Sequence, residues 1–424
     1  MTTTYADLTN LTDILKQVYG PRIEQQQRRE AMTYMELPIS SRKPGGLGYI
    51  FPVHIGSNQA IGAKLESEAL PTPQRQRYDK VTITPKYVYG TIRVTGPAIA
   101  AAKANVMAFA DSLASEISNA FIDVRTDLGR MTFGDGWGKL ATLSAAATPS
   151  AVATWTFTCD NTTGVHYLRE GMIVDFYESN TLDADNDVSE ITSIDPSTKI
   201  VTCAANATAS GTVASAAEVV RTATREATHD TSSDTSREIM GFLGIIDDGT
   251  NVATFQDIDR TAAGKRLWKA NYLANSSVDR ELTLDLMQRA IDLARYSGGS
   301  TINDIRMGLG QRRKYVALLQ PDIRYTPMQL EGGFERLTYA GGDARIRISV
   351  DPDCVPGKIF FQTKGTIKRY ELKSLGWADL DGNILNRRSG YDEWNAFLCI
   401  YTNLGSTKCN ANTQLLDLVE PALY

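Results

Sequence analysis

Residues 95–129 read TGPAIAAAKANVMAFADSLASEISNAFIDVRTDLG, and one helical period runs through the whole stretch. Ile99, Ala102, Val106, Phe109, Leu113, Ile117, Phe121, Val124 and Leu128 recur at steps of three or four, which puts them on a single stripe. Lys103, Asp111, Ser115 and Asp123 take the other faces. Thr95-Gly96-Pro97 suits a helix start, because a proline in the first turn gives up no hydrogen bond there. The spacing predicts an end near Gly129 and a length of roughly 50 Å at about 1.5 Å per residue. A helix this long is the spine of an elongated unit. It cannot bury its own stripe, so Ile99, Val106, Phe109, Leu113, Ile117, Phe121, Val124 and Leu128 are expected to be core packed on a sheet.

Upstream of the helix the period becomes two. YIFPVHI and VTITPKYVYGTIRVT are rich in β-branched and aromatic residues, and residues 45–95 are expected to form one long hairpin. Its middle, about Gly62 to Arg77, carries Pro71, Pro73 and several charges, a poor closed turn but a plausible protruding loop. Glu66 and Glu68 precede the loop tip, and Arg75 and Arg77 follow it. Opposite charges so placed make these four the candidate contacts between subunits. Residues 1–44 are expected to be an arm: Leu11, Ile14, Leu15 and Val18 have helical spacing, Gly20-Pro21 breaks it, and EQQQRRE is polar on every side.

Downstream of the helix, residues 140–236 change character. WTFTC, GMIVDFY, SEITSID and KIVTCA are short alternating runs separated by Asn, Asp, Gly and Pro. They predict an inserted all-β unit, a small barrel or sandwich. Between Asp160 and Asp195 there are nine acidic residues and one base, Arg169, so one face of it is strongly acidic. From Arg237 the chain returns to mixed elements. Leu284, Met287, Ala290, Ile291 and Ala294 mark a helix stopped by Ser297-Gly298-Gly299, and a second runs from about Gln311 to Gln320 before Pro321. ARIRISV, KIFFQT and GTIKRYEL are strands, and YDEWNAFLCIYTNL is expected to be a final long one.

The 424 residues suggest two or more compact units, and 42% hydrophobic with 22% charged residues is ordinary globular composition. A net charge of −5 gives no reason for tight sequence-independent binding to nucleic acid phosphates. No stretch is apolar enough for a membrane span. Cys159, Cys203, Cys354, Cys399 and Cys409 are far apart and lack a CxxC pair, which fits free thiols in a reducing compartment.

The chemistry-bearing patterns are negative. His54, His166 and His229 stand in different segments, with no HExxH, HxH or Cys/His cluster. Gly134-Asp135-Gly136-Trp137-Gly138-Lys139 fails the P-loop spacing. Asp183, Asp185 and Asp187 imitate a calcium loop, but Val188 stands where glycine belongs and Ile194 where the bidentate glutamate belongs. Asp247-Asp248 and Asp351/Asp353 sit in turn contexts, where Asp bonds to its own backbone. No GxSxG elbow occurs. The reading is no enzyme: no catalytic residue, no metal site, no cofactor.

The order of parts is polar arm, protruding hairpin, long helix, mixed unit with a β insertion, and a closing sheet. It resembles the major capsid proteins of tailed bacteriophages, those of the Hong Kong 97-type fold. Residues 78–105, YDKVTITPKYVYGTIRVTGPAIAAAKAN, look like the return of that family's extended loop into its spine helix. Residues 241–273, GFLGIIDDGTNVATFQDIDRTAAGKRLWKANYL, look like entry into its axial domain. Residues 341–370, GGDARIRISVDPDCVPGKIFFQTKGTIKRY, and 377–404, WADLDGNILNRRSGYDEWNAFLCIYTNL, look like the exit and the peripheral-domain strands.

The resemblance implies an α+β fold divided as arm 1–44, extended-loop hairpin 45–95, spine helix 96–139, inserted β domain 140–236, axial domain 237–345, and axial exit with peripheral strands 346–424. It implies a structural subunit that self-assembles, through hexamers and pentamers, into an icosahedral shell around double-stranded DNA. Such a shell is assembled in the host cytoplasm and ends as the virion capsid. About 45 residues before the loop are too few for a fused scaffolding domain, so a separate scaffolding protein is expected, with a portal and a decoration protein as further partners. DNA would be enclosed without sequence-specific binding, and no membrane is involved. Two other classes share the sequence features: an encapsulin-like cellular shell, and an enzyme with an unrecognised site.

Overall fold

The computed structural model describes residues 32–421, apart from 47, 59, 98–105, 161–163, 184–188, 208, 210, 223, 226–235, 320–337, 342–343, 380–385 and 388. Most of the arm and Ile99 therefore lie outside the described residues, as do the side chains of Val106, Phe109, Leu113 and Ile117.

The spine helix runs Val106–Phe133, 28 residues or about 42 Å. It passes through Gly129 and stops at Gly134, four residues beyond the expected end. A glycine inside a helix costs about 1 kcal/mol. Here the next turn offsets that cost by burying Met131 and Phe133 and by pairing Arg130 with two carboxylates. Of the predicted stripe, Val124 and Leu128 are buried and Phe121 is half-buried.

The helix lies on an antiparallel sheet in which Glu393–Ser406 is central, with Lys86–Thr95 on one side and Ile367–Trp377 and the short Asn386–Arg387 on the other. Phe121 meets Trp377 edge-on at 5.5 Å between ring centroids. Gly90 permits the closest approach of helix to sheet, since a Cβ there would stand 2.8 Å from Val124 Cγ2. Helices and sheets are segregated, an α+β arrangement.

The single long hairpin is not what forms. Tyr49–Gly56 pairs with Arg77–Ile83, from Tyr49 opposite Ile83 to Gly56 opposite Arg77. Lys86–Thr95 instead joins the sheet under the spine helix, with Thr402 opposite Lys86 and Glu393 opposite Thr95. The break falls at Thr84-Pro85, where proline has no N–H to continue the ladder. Asn403 Nδ2 instead donates to Thr84 O at 2.7 Å.

Strands from Lys139 to Arg221 make a second, wholly antiparallel sheet, in the order Lys139–Thr142, Glu218–Arg221, Ile173–Glu178, Ser189–Asp195, Ile200–Cys203, Trp155–Thr158. Its two ends meet: Leu143 bridges Cys159, Ser144 N donates to Thr158 O at 2.9 Å, and Asp160 N donates to Thr142 O at 2.8 Å. The two ends of the sheet thus close it into a barrel. Trp155, Phe157 and Phe176 fill it, with centroids 5.5–5.8 Å apart.

A third sheet mixes parallel and antiparallel pairs, in the order Asn271–Leu273, Thr413–Leu415, Ile359–Gln362, Asp304–Met307, Ala344–Val350, Thr338–Gly341. Helices Leu284–Gly298 and Leu309–Leu319 accompany it, and Met287, Ala290, Ala294, Ile305, Phe361 and Leu415 belong to one buried cluster. The first helix stops at the expected glycines, and its start has a cap that the sequence reading did not name. Thr283 Oγ1 accepts from Leu286 N at 3.2 Å, and Gly299 is left-handed at φ 57°. Glu393–Ser406 is not the last strand, because the chain crosses back to the third sheet at Thr413–Leu415. Three residues are too few for a period to announce them. No helix among the described residues is long and apolar enough to cross a membrane.

Candidate assembly surfaces

The hairpin Tyr49–Gly56/Arg77–Ile83 is anchored at its root and free at its tip. Along the strands, Tyr49, Phe51, Ile55, Val81 and Ile83 turn inward and are buried. Tyr49 Oη donates to Glu371 O at 2.9 Å and its ring meets Tyr370 at 5.1 Å. Thr82 N donates to Gln256 O at 3.1 Å, and Lys265 pairs with Asp79.

Beyond Gly56 that support ends. Ile61, Leu65 and Leu70 are 85%, 82% and 86% exposed, three large apolar side chains on one loop. Hydrogen bonds among the loop's described residues are local: Ala60 N to Asn58 Oδ1 at 2.8 Å, Leu65 N to Glu68 Oε2 at 3.1 Å, and Lys64 Nζ to Glu68 Oε1 at 3.0 Å. Apolar groups held in water on a polar loop are what a partner surface would cover.

Glu66, Glu68, Arg75 and Arg77 are all exposed on this element. The structure does not pair them with one another. Glu68 turns back on Lys64 and the Leu65 amide, which hold its carboxyl below the ordinary carboxylate range. Arg77 opens the return strand opposite Gly56. The apolar trio was missed in the sequence, although Ile61, Leu65 and Leu70 inside a charged, proline-containing loop were its visible signal.

The sheet under the spine helix has a second face. Tyr87 and Tyr89 are exposed there, and both meet Tyr401 edge-on, at 5.1 and 6.0 Å. Lys373 Nζ stands 5.7 Å from the Tyr401 ring centroid. Phe397, two register steps along, is 39% exposed. Strand alternation makes this face, since the residues between them point to the helix side, Leu398 and Ile400 within the main core cluster and Val88 packed against it.

Where helix, barrel and returning chain meet, four charges form a knot. Arg130 donates to Asp127 at 2.9 Å and to Glu238 at 2.6 Å, and Arg221 donates to Asp127 at 2.9 Å. Burial opposes charge on Asp127, but Arg130 and Arg221 more than offset it and keep its carboxyl below the ordinary range. Arg221 comes from the last barrel strand, so the barrel is tied to the spine by charge as well as by chain.

The remaining chemistry-bearing residues are dispersed. His54 bonds Gln76 at 2.7 Å near the hairpin tip, His166 bonds Pro352 O at 2.6 Å, and His229 lies outside the described residues. All five cysteines are buried and unpaired, and burial pushes the Cys159 and Cys203 thiols up to about 12, where a thiolate nucleophile is not available at neutral pH. Asp247 accepts from the amides of Gly249, Asn251 and Val252, and Asp351 from Asp353 N, so these carboxylates order turns. Residues 184–188 of the calcium-like run lie outside the described residues. Among the described residues no group of three or more His, Cys, Asp or Glu is placed to hold a metal ion.

No protein-family model and no curated protein matches this sequence. Solved structures do. The capsid asymmetric unit of cyanophage A-1(L) superposes with a TM-score of 0.58 at 11% identity, over 97% of this chain and 99% of that one. The capsid of an empty GTA particle superposes with a TM-score of 0.51 at 8% identity, over 99% and 100% of the two chains. At such identities the likeness is one of fold, and it extends over nearly the whole length. The chain has the Hong Kong 97-type capsid fold expected from its order of parts.

Proposed function

We propose that this chain is a major capsid protein, the repeated subunit of an icosahedral shell that encloses the double-stranded DNA of a tailed phage. The observation that carries the proposal is the fold shared, end to end, with two capsid subunits. The physics of the surfaces agrees with it. A shell subunit needs extended contacts and protrusions that a neighbour orders, and it needs no active site. The loop that exposes Ile61, Leu65 and Leu70 and the aromatic sheet face at Tyr87, Tyr89 and Phe397 are such surfaces.

In this proposal residues 45–95 carry the extended loop, 96–139 the spine, 140–236 the inserted barrel, 237–345 the axial domain, and 346–424 its exit and the peripheral strands. Glu66, Glu68, Arg75 and Arg77 contact neighbouring copies. The subunit works as a virion component without catalysis, assembled in the host cytoplasm with a separate scaffolding protein, a portal and a decoration protein. A near-neutral wall suits a container, because a strongly cationic one would grip the genome by counterion release.

Electron microscopy of the expressed protein, alone and with the scaffolding protein encoded beside it, is the test. Closed shells or capsomers are expected. A chain that stays monomeric at high concentration under both conditions overturns the proposal.

A further inference from the structure

Besides the long path through the spine helix and the barrel, the sheet under the spine helix and the third, mixed sheet are joined by two short crossings, residues 363–366 and 407–412. The two crossings are bonded to each other. Thr407 N donates to Thr366 O at 2.9 Å, Thr363 N donates to Asn412 Oδ1 at 3.0 Å, and Thr363 Oγ1 donates to Ala411 O at 2.8 Å. Two adjacent crossings make a hinge.

Residues 33–40 span the same two sheets, joining only the edge of one through the bridge of Ile39 to Arg369. Their first half grips the mixed sheet. Thr33 Oγ1 donates to Asp351 Oδ2 at 2.5 Å and accepts from Arg306 at 2.8 Å. Glu36 accepts from Arg306 at 3.2 Å and from Arg347 at 2.5 Å. Their second half lies along the edge strand of the other sheet. Arg369 N donates to Pro38 O at 2.9 Å, Ser40 N donates to Arg369 O at 2.8 Å, and Arg369 Nε donates to Leu37 O at 3.0 Å. Between them Tyr34 Oη donates to Thr402 Oγ1 at 3.0 Å, with the Arg369 guanidinium 4.9 Å from its ring centroid.

The two grips differ in kind. The five-residue helix Met32–Glu36 is far too short to stand alone, and it is held to the mixed sheet by side-chain hydrogen bonds and ion pairs. The edge-strand grip is a backbone ladder with Leu37 buried beside it. A cavity of about 450 Å³ borders the first grip, lined by Glu36, Leu37, Pro38, Arg306, Arg347 and Lys364.

We infer that residues 33–40 are a releasable strap. Lifting Thr33 and Glu36 from Arg306, Arg347 and Asp351, while Arg369 keeps its hold, loosens the mixed sheet about the paired crossings, leaving the packing of Phe360 on Phe133 and Phe242 as its remaining side-chain tie to the spine helix. Anything that pulls on the arm before residue 33 would then set the angle between the two sheets.

The test is amide hydrogen exchange on the full, unassembled chain, comparing wild type with Glu36→Gln and with Glu36→Gln/Thr33→Val. Glu36→Gln keeps the side-chain shape and is not expected to unfold the chain. The loss of charge-assisted bonds should speed exchange at the Thr33 and Thr407 amides by about tenfold or more in the double variant, and less in the single one. The Ser40 and Arg369 amides, and Leu143 and Val213 in the barrel, should keep their rates. Unchanged exchange at Thr407 overturns the strap, because the hinge would then be indifferent to it. Equal acceleration at all six amides overturns it as well, because residues 33–40 would then be ordinary core.

Discussion

Gly90→Ala is the most direct probe of how the spine helix sits on its sheet. The added methyl would stand 2.8 Å from Val124 Cγ2, where apolar carbons pack at about 3.5–4.0 Å. The helix must therefore shift by roughly 1 Å, or Val124 must leave its rotamer. In an open strand the same change would help slightly, since alanine has less backbone entropy to lose than glycine. Overpacking of this kind costs about 1–3 kcal/mol, and that cost should win.

The compensating change is Val124→Ala, which removes the atom in the way. Alone it should cost about 1–2 kcal/mol, from two buried methyls lost. Together the two substitutions should cost less than their sum, by about 1–2 kcal/mol of coupling. The assay is urea unfolding of the unassembled chain, followed by tryptophan fluorescence, with Trp377 reporting from the same interface through its contact with Phe121. Strict additivity, or a Gly90→Ala variant as stable as wild type, would show that helix and sheet do not meet as described.

Four further outcomes are expected. Arg130→Met should cost about 3–5 kcal/mol in the same unfolding assay, because Asp127 and Glu238 lose their shared buried partner. Asp127 has a folded pKa below its unfolded one, so its contribution is complete above the unfolded value near 3.8 and is lost as pH falls through the folded value. Asp127→Asn should accordingly flatten the acid limb of the stability profile and cost most near neutrality. On the loop, Arg75→Glu with Arg77→Glu should leave the melting temperature of the unassembled chain unchanged while impairing shell formation, and normal shells with unchanged salt resistance would refute that assignment. Excising residues 139–236, which removes every barrel strand, and rejoining the ends with a flexible linker should leave residues 106–133 protected from protease, and lost protection there would make the barrel part of the core.

Elements whose causes lie within a dozen residues were legible in the sequence alone. The stripe through Phe121, Val124 and Leu128, the glycine stop at Gly299, the alternation of Tyr49 to Ile55, and the short turn-bounded strands of the barrel each state a local preference that folding kept. Errors arose where distant partners outweighed such a preference, as when Arg130 and the buried Phe133 carried the helix through Gly129. Pairings across the chain could not be read in advance: Lys86–Thr95 beside Glu393–Ser406, Arg130 with Glu238, the barrel's closure at Leu143 and Cys159, residues 33–40 lying across two sheets. Periodicity specifies which face of a strand or helix is apolar, but many other apolar faces in the same chain could cover it equally well. Only the packed whole, where shape, hydrogen bonds and buried charge must be satisfied together, selects one partner for each.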